Sequence, residues 1–85
     1  MTREAIRTHL LKIFAAEFEI VNPGLEDDLR EVHGFDSIDA IELLQEIEDM
    51  LGFELTQEQK KQAMDNIRTL DQILDYVQGL TPQAN

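Results

Sequence analysis

The fold is decided by residues 36–51, which read DSIDAIELLQEIEDML. On a helical wheel at about 100° per residue, this stretch separates into two faces. One face is apolar and predicts a wide core stripe: Ala40, Leu43, Leu44, Ile47, Met50 and Leu51. The opposite face carries four carboxylates: Asp39, Glu42, Glu46 and Asp49. Asp36 suits an N-cap and Gly52 suits the position after the last turn, so the pattern predicts a helix from Asp36 to Leu51.

The sequence before residue 36 predicts one helix and one long connection. Apolar residues recur at three- and four-residue steps over residues 3–18, and Thr2 can cap this helix. Asn22-Pro23-Gly24 is a turn signal, and the connection that it opens runs to about Asp36. Its apolar residues are expected to fold back onto the core: Leu25, Leu29 and Val32. A loop of this length is uncommon in a compact domain unless it has a function.

The sequence after residue 52 predicts two further helices. Capping-box patterns begin both of them, Thr56 with Gln59 and Thr69 with Gln72. The first is expected to run to about Ile67, and Gly79 is expected to end the second. No strand pattern is present, so the sequence predicts an all-α fold, a small four-helix bundle with a long loop between helices 1 and 2. We expect residues 1–80 to form the domain and residues 81–85 to form a flexible C-terminal tail.

The charge of the chain indicates its partners. Eighteen acidic residues against seven basic ones give a net charge of −11, which argues against nucleic acid and anionic membranes and favours partners with basic patches. From Glu31 through Glu58 there is no Lys or Arg. The chain has no cysteine, and no apolar run approaches the ~20 residues of a membrane span. We therefore expect a cytoplasmic monomer without disulfides.

Ser37 is the candidate modification site. If Asp36 caps the helix, Ser37 is its first residue and its hydroxyl points outward at the end of the long loop. Free backbone N–H groups and the positive end of the helix dipole make this a good place for a phosphate. On these grounds alone, the plain interpretation of Asp36-Ser37 as a capping pair stays open and is the commoner one.

The remaining polar clusters predict no catalytic or metal site. His9 and His33 belong to no Ser-His-Asp or metal-ligand spacing, so we interpret them as surface or loop histidines. Glu26-Asp27-Asp28 lacks the glycine and terminal glutamate of a calcium loop. A helix start or a solvated cluster is favoured there.

The stretch from Gly34 to Leu44, GFDSIDAIELL, resembles the attachment region of acyl carrier proteins. Residues 48–55, EDMLGFEL, and residues 69–77, TLDQILDYV, resemble the acidic helix end and the final helix of that family. The resemblance covers nearly the whole chain. It implies that Ser37 carries 4′-phosphopantetheine, transferred from coenzyme A by a holo-acyl-carrier-protein synthase, and that Asp36 assists this modification.

The resemblance also implies a partner face on the same helix, for acyl-transferring or condensing enzymes with basic patches. The residues that match it are Ile38, Asp39, Ile41, Glu42, Gln45, Glu46, Glu48 and Asp49. Gln45 lies where fatty-acid carriers often have Met, Ile38 replaces the usual Leu, and residues 56–69 are about one helical turn longer. These departures favour a specialised carrier over the housekeeping one.

The cargo is implied to be an acyl group, held as a thioester for fatty-acid, specialised lipid or polyketide-type synthesis. We expect it to enter the bundle interior below Ser37, where Ala40 leaves room. The far wall is expected to come from the last helix: Leu70, Ile73 and Leu74. A D-alanyl, aminoacyl or peptidyl carrier remains an alternative, and an unmodified acidic helical interaction protein is a distant one.

Overall fold

The computed structural model describes residues 2–80, and this part of the chain contains five helices. In chain order they are α1 (Arg3–Glu17), α2 (Leu29–His33), α3 (Ser37–Leu51), α4 (Gln57–Asn66) and α5 (Leu70–Leu80). Within residues 2–80 there is no strand, so the all-α prediction is confirmed. The tail predicted for residues 81–85 lies outside the described residues.

Side-chain caps begin the helices at the predicted residues. Thr2 Oγ1 accepts from the Ala5 N–H at 3.1 Å, and α4 begins with the predicted capping box of Thr56 and Gln59. The predicted pair at the start of α5 also forms, because each side chain of Thr69 and Gln72 accepts from the other's backbone N–H. Local sequence therefore sets where these helices begin.

Glycines end two helices, but Gly79 does not end the last. Gly34 and Gly52 follow α2 and α3 with φ of 68° and 81°, in the left-handed region that glycine reaches at little cost. Gly79 has no positive φ, and α5 continues through it to Leu80. The prediction that Gly79 ends the last helix is therefore wrong, because a glycine terminates a helix only where its backbone leaves the right-handed region.

The long connection contains α2, a helix of five residues that the sequence pattern did not predict. Asp28 Oδ1 caps it by accepting from the N–H groups of Arg30 and Glu31, both at 3.0 Å. Five residues are too few to show a 3.6-residue period. Leu29 is buried as predicted and Leu25 packs against the core, whereas Val32 is 61% exposed and is not an anchor. A single short turn presents only about one residue fully to the core.

Aromatic packing and two backbone hydrogen bonds fasten this connection to the bundle. The rings of Phe14, Phe18 and Phe35 form a cluster with centroid separations of 5.4 to 5.8 Å. The Leu29 N–H donates to the Arg68 carbonyl at 2.8 Å, and the Asp71 N–H donates to the Leu25 carbonyl at 3.0 Å. The segment that precedes α3 is therefore held against both α1 and the start of α5.

Polar side chains join α1 and α4 to α5. The Arg3 guanidinium contacts the carboxylates of Asp71 and Asp75, the latter at 2.8 Å. The Tyr76 hydroxyl donates to the Gln59 carbonyl at 2.8 Å. Burial raises the pKa of Tyr76, and the nearby Glu48 carboxylate adds to this. The first turn and the middle of α5 are thus tied to neighbouring helices.

We predict that Leu29→Ala lowers the free energy of unfolding by about 2–5 kcal/mol, because it leaves a cavity under α2. Val32→Ala on the same helix is the matched control and should change it by less than about 0.5 kcal/mol, since Val32 is exposed. Urea unfolding followed by circular dichroism measures both. Equal losses in the two variants would contradict the packing described for α2.

Candidate functional site

Ser37 is the first residue of α3, and its position is defined by a reciprocal capping box. Asp36 Oδ1 accepts from the Asp39 N–H at 3.0 Å, and Asp39 Oδ2 accepts from the Asp36 N–H at 3.2 Å. Ser37 itself is exposed, and its hydroxyl makes no hydrogen bond with any other residue from 2 to 80. The cap is therefore satisfied without Ser37, which leaves the hydroxyl available for chemistry.

The face of α3 that turns away from the core carries most of the predicted partner residues. Ile38 and Ile41 are 66% and 52% exposed. The polar residues that are exposed with them are Glu42, Gln45 and Asp49, while Asp39 and Glu46 are half-buried. Within the described chain, none of these carboxylates pairs with a basic side chain. The result is an open acidic face with two apolar side chains in it.

Glu48 does not belong to that face. Its side chain is only 15% exposed, and its Oε2 accepts from the Leu55 N–H at 2.7 Å and lies 3.8 Å from Lys60 Nζ. The prediction that Glu48 lies along the partner face is therefore wrong. On the wheel Glu48 lies away from the acidic stripe, so it turns toward the loop that follows α3 and helps to close that end of the bundle.

An apolar cavity opens beside the start of α3. Its side chains come from the connection, α3 and α4: Leu29, Phe35, Ala40, Leu43, Leu44, Ile47, Ala63, Met64 and Ile67. Asp36, Arg30 and Arg68 are its charged lining residues. The cavity holds about 30 Å³, room for a water molecule or two and far less than an acyl chain needs.

The wall of this cavity differs from the prediction. The apolar residues of α3 line the cavity as predicted. In contrast, Leu70, Ile73 and Leu74 of α5 are buried elsewhere in the core and do not line it. The second wall is α4, through Ala63, Met64 and Ile67. Their spacing of one and three residues was visible in the sequence and indicates an apolar helix face, but it does not say which helix that face meets.

The model of the family described as the phosphopantetheine attachment site matches residues 8–77. The chain belongs to this family. A search of curated proteins found no match. The cofactor of this phosphopantetheine carrier protein is therefore a covalent 4′-phosphopantetheine group. Membership implies interaction with a phosphopantetheinyl transferase and with enzymes that handle acyl groups, and carrier domains are not themselves catalytic.

The start of α3 in the carrier protein fits such a group. A phosphodiester requires an accessible hydroxyl, and Ser37 offers one at a helix N-terminus, where the dipole favours an anion. Ser37 is also the only serine in the chain, a sequence signal that by itself singles it out. The thiol at the far end of the group supplies the chemistry, since it forms thioesters.

The two histidines of the carrier protein lie outside this site. His9 is exposed on α1, and His33 ends α2 with its Nε2 3.2 Å from Asp27 Oδ2. Asp27 Oδ2 also accepts from the Gly24 N–H at 2.9 Å. That backbone hydrogen bond, followed by the one with His33, lowers the pKa of Asp27. The pair closes the turn before α2 and has no nucleophile beside it in residues 2–80.

No helix within residues 2–80 has the length and apolar character that crossing a bilayer requires.

Proposed function

We propose that this chain is an acyl carrier protein whose 4′-phosphopantetheine arm is attached to Ser37. It shuttles acyl groups as thioesters for fatty-acid, specialised lipid or polyketide-type synthesis. We further propose that residues 1–80 act as one monomeric carrier domain in the cytoplasm. The absence of cysteine suits that compartment and leaves the thiol of the arm without a competing protein thiol.

The placement of the single serine is the main support for the proposed attachment site. The family match spans residues 8–77, and Ser37 is the one serine within it. It lies exposed at the first position of α3, and the adjacent Asp36 carboxylate is partly engaged in the cap. We assign Asp36 the assisting role in the transfer, since its other carboxylate oxygen, Oδ2, takes no part in the cap.

We predict that Ser37→Ala gains no mass when it is incubated with a holo-synthase and coenzyme A. Its free energy of unfolding should stay within about 0.5 kcal/mol of wild type, because Asp36 still caps α3. Thr8→Ala, which removes an exposed hydroxyl from α1, is the control and should load normally. Intact-mass spectrometry decides, and any arm attached to Ser37→Ala would refute the site.

We assign the acidic face of α3 to partner docking. Like charges along a helix cost a few tenths of a kcal/mol per pair, and no basic residue from Glu31 to Glu58 offsets them. Ile38 and Ile41 add exposed apolar surface of the kind found at the centre of interfaces. This combination supports a basic partner with apolar contacts, such as the holo-synthase or an acyl-transferring or condensing enzyme.

We predict that the double variant Glu42→Lys/Glu46→Lys associates with the holo-synthase at least about 10-fold more slowly at low salt. The variant should not lose stability, because it relieves repulsion on α3. The control Glu17→Lys/Asp65→Lys changes the net charge by the same amount on α1 and α4. Stopped-flow association distinguishes them, and equal slowing in both variants would show that only total charge matters.

The apolar cavity supports an acyl cargo over an aminoacyl one. A chain of methylenes gains about 0.8 kcal/mol for each group that leaves water. The ammonium group of an aminoacyl thioester would lose hydration in the same place without a carboxylate to pair with inside the cavity. The only carboxylate among the lining residues is Asp36, which is exposed.

We predict that Ala40→Phe closes the cavity to cargo. Octanoyl loading should raise the melting temperature of wild type, and this rise should largely disappear in the variant, with faster thioester hydrolysis. Ala16→Phe, on the exposed side of α1, is the control and should behave as wild type. If octanoyl loading stabilises Ala40→Phe as much as wild type, the cargo does not enter this cavity.

A further inference from the structure

Two arginines lie at the cavity beside Ser37. Arg30 of α2 and Arg68, just before α5, both belong to its lining, together with Asp36. They come from distant parts of the sequence, and the hydrogen bond between the Leu29 N–H and the Arg68 carbonyl brings their backbones together. Both side chains are exposed, so they stand at the mouth of the cavity and not inside it.

Neither arginine side chain has a polar partner within residues 2–80. Arg3 pairs with Asp71 and Asp75, and Lys60 lies near Glu48. In contrast, the side chains of Arg30 and Arg68 make no hydrogen bond or ion pair with any of residues 2–80. In a chain with eighteen acidic and seven basic residues, two guanidinium groups without a protein partner at one cavity mouth are free to bind an anion.

The modification itself would bring such an anion to this end of the bundle. A phosphodiester on Ser37 would lie next to Asp36 and close to Asp39, and residues 31–58 contain no Lys or Arg to offset it. Arg30 and Arg68 are the basic residues that the fold supplies at the mouth to which Asp36 also belongs. Guanidinium groups bind phosphate oxygens through two parallel N–H donors, which makes arginine well suited to this role.

We infer that Arg30 and Arg68 bind the phosphodiester of the arm and hold the arm over the mouth of the cavity. This inference rests on the proposed attachment to Ser37. The covalent link keeps the anion at high effective concentration, so even exposed arginines can engage it. A cargo carboxylate is the other possible anion, but it would lie at the far end of a long flexible arm. The phosphodiester stays beside Asp36 whatever the cargo.

The test compares apo and holo forms of three proteins at low salt. These are wild type, Arg30→Gln/Arg68→Gln, and Arg7→Gln/Lys12→Gln, which removes two exposed, unpaired cations from α1 as the matched control. Intact mass first shows that each protein carries the arm. The measured quantities are the shift in melting temperature on conversion from apo to holo, and the width of the ³¹P resonance of the phosphodiester.

We expect conversion to raise the melting temperature of wild type and of the control by about 2–4 °C, and that of Arg30→Gln/Arg68→Gln by less than about 1 °C. The rise in wild type should shrink in about 0.5 M NaCl because salt screens exposed charges. The ³¹P resonance should be narrower in the double variant, since its arm moves freely. Circular dichroism of the apo forms confirms that all three are folded.

The outcomes separate this inference from the proposed function. If the loaded double variant keeps both the wild-type shift and the wild-type line width, the arginines do not bind the phosphodiester and the inference is wrong. The inference is also wrong if the melting temperature of wild type rises only when the arm carries malonyl and not when it carries acetyl. In that case the arginines bind the carboxylate of the cargo. If no protein gains the arm on Ser37, the proposed function and this inference fail together.

Discussion

The burial of Leu29 and Phe35 is the interaction on which the rest of the site depends. Both side chains belong to the connection between α1 and α3, and both line the cavity beside Ser37. The Phe35 N–H donates to the Leu29 carbonyl at 3.0 Å, so the two are also linked through the backbone. Without this anchoring, the segment that leads into α3 would be a free loop and the arginines at the cavity would not meet.

Two sets of carboxylates in the chain differ in whether they have a basic partner. Asp71, Asp75 and Glu48 have basic partners and join elements of the fold. The carboxylates on the open face of α3 have none within residues 2–80. Exposed ion pairs contribute little to stability, so their absence on α3 costs the fold little. The unpaired carboxylates of this face are therefore compatible with a stable fold and with the docking role proposed for them.

The sequence predicted the elements whose signals are local. The caps of Asp36, Thr56 and Thr69 depend on residues three positions apart, and the stripe of α3 spans four turns, so both were visible. The helix α2 was missed because five residues show no period. Its start at Asp28 fell within a cluster interpreted as a helix start or a solvated group.

Tertiary placement was less predictable. The apolar residues of α4 and α5 are equally suited to face α3, and one sequence does not say which helix lies next to the cavity. The structure places α4 there through Ala63, Met64 and Ile67. For the same reason, the sequence does not predict that Arg30 and Arg68 lie at the same cavity. They are separated by 37 intervening positions, and only the backbone hydrogen bond at Leu29 brings their segments together. Ser37 could be proposed from the sequence because the motif around it is contiguous.

The way α4 is held determines how so small a cavity could take up cargo. Its first turn is fixed by the Thr56 capping box, by Lys60 near Glu48 and by the Tyr76 hydroxyl on Gln59. Its last turn lines the cavity, and Ala63 is the only buried residue of the helix. A helix with few buried apolar contacts is the least costly wall to displace. Cargo that spreads the bundle should therefore move the C-terminal end of α4 about its fixed start, while α3 and the anchored connection keep Ser37 in place.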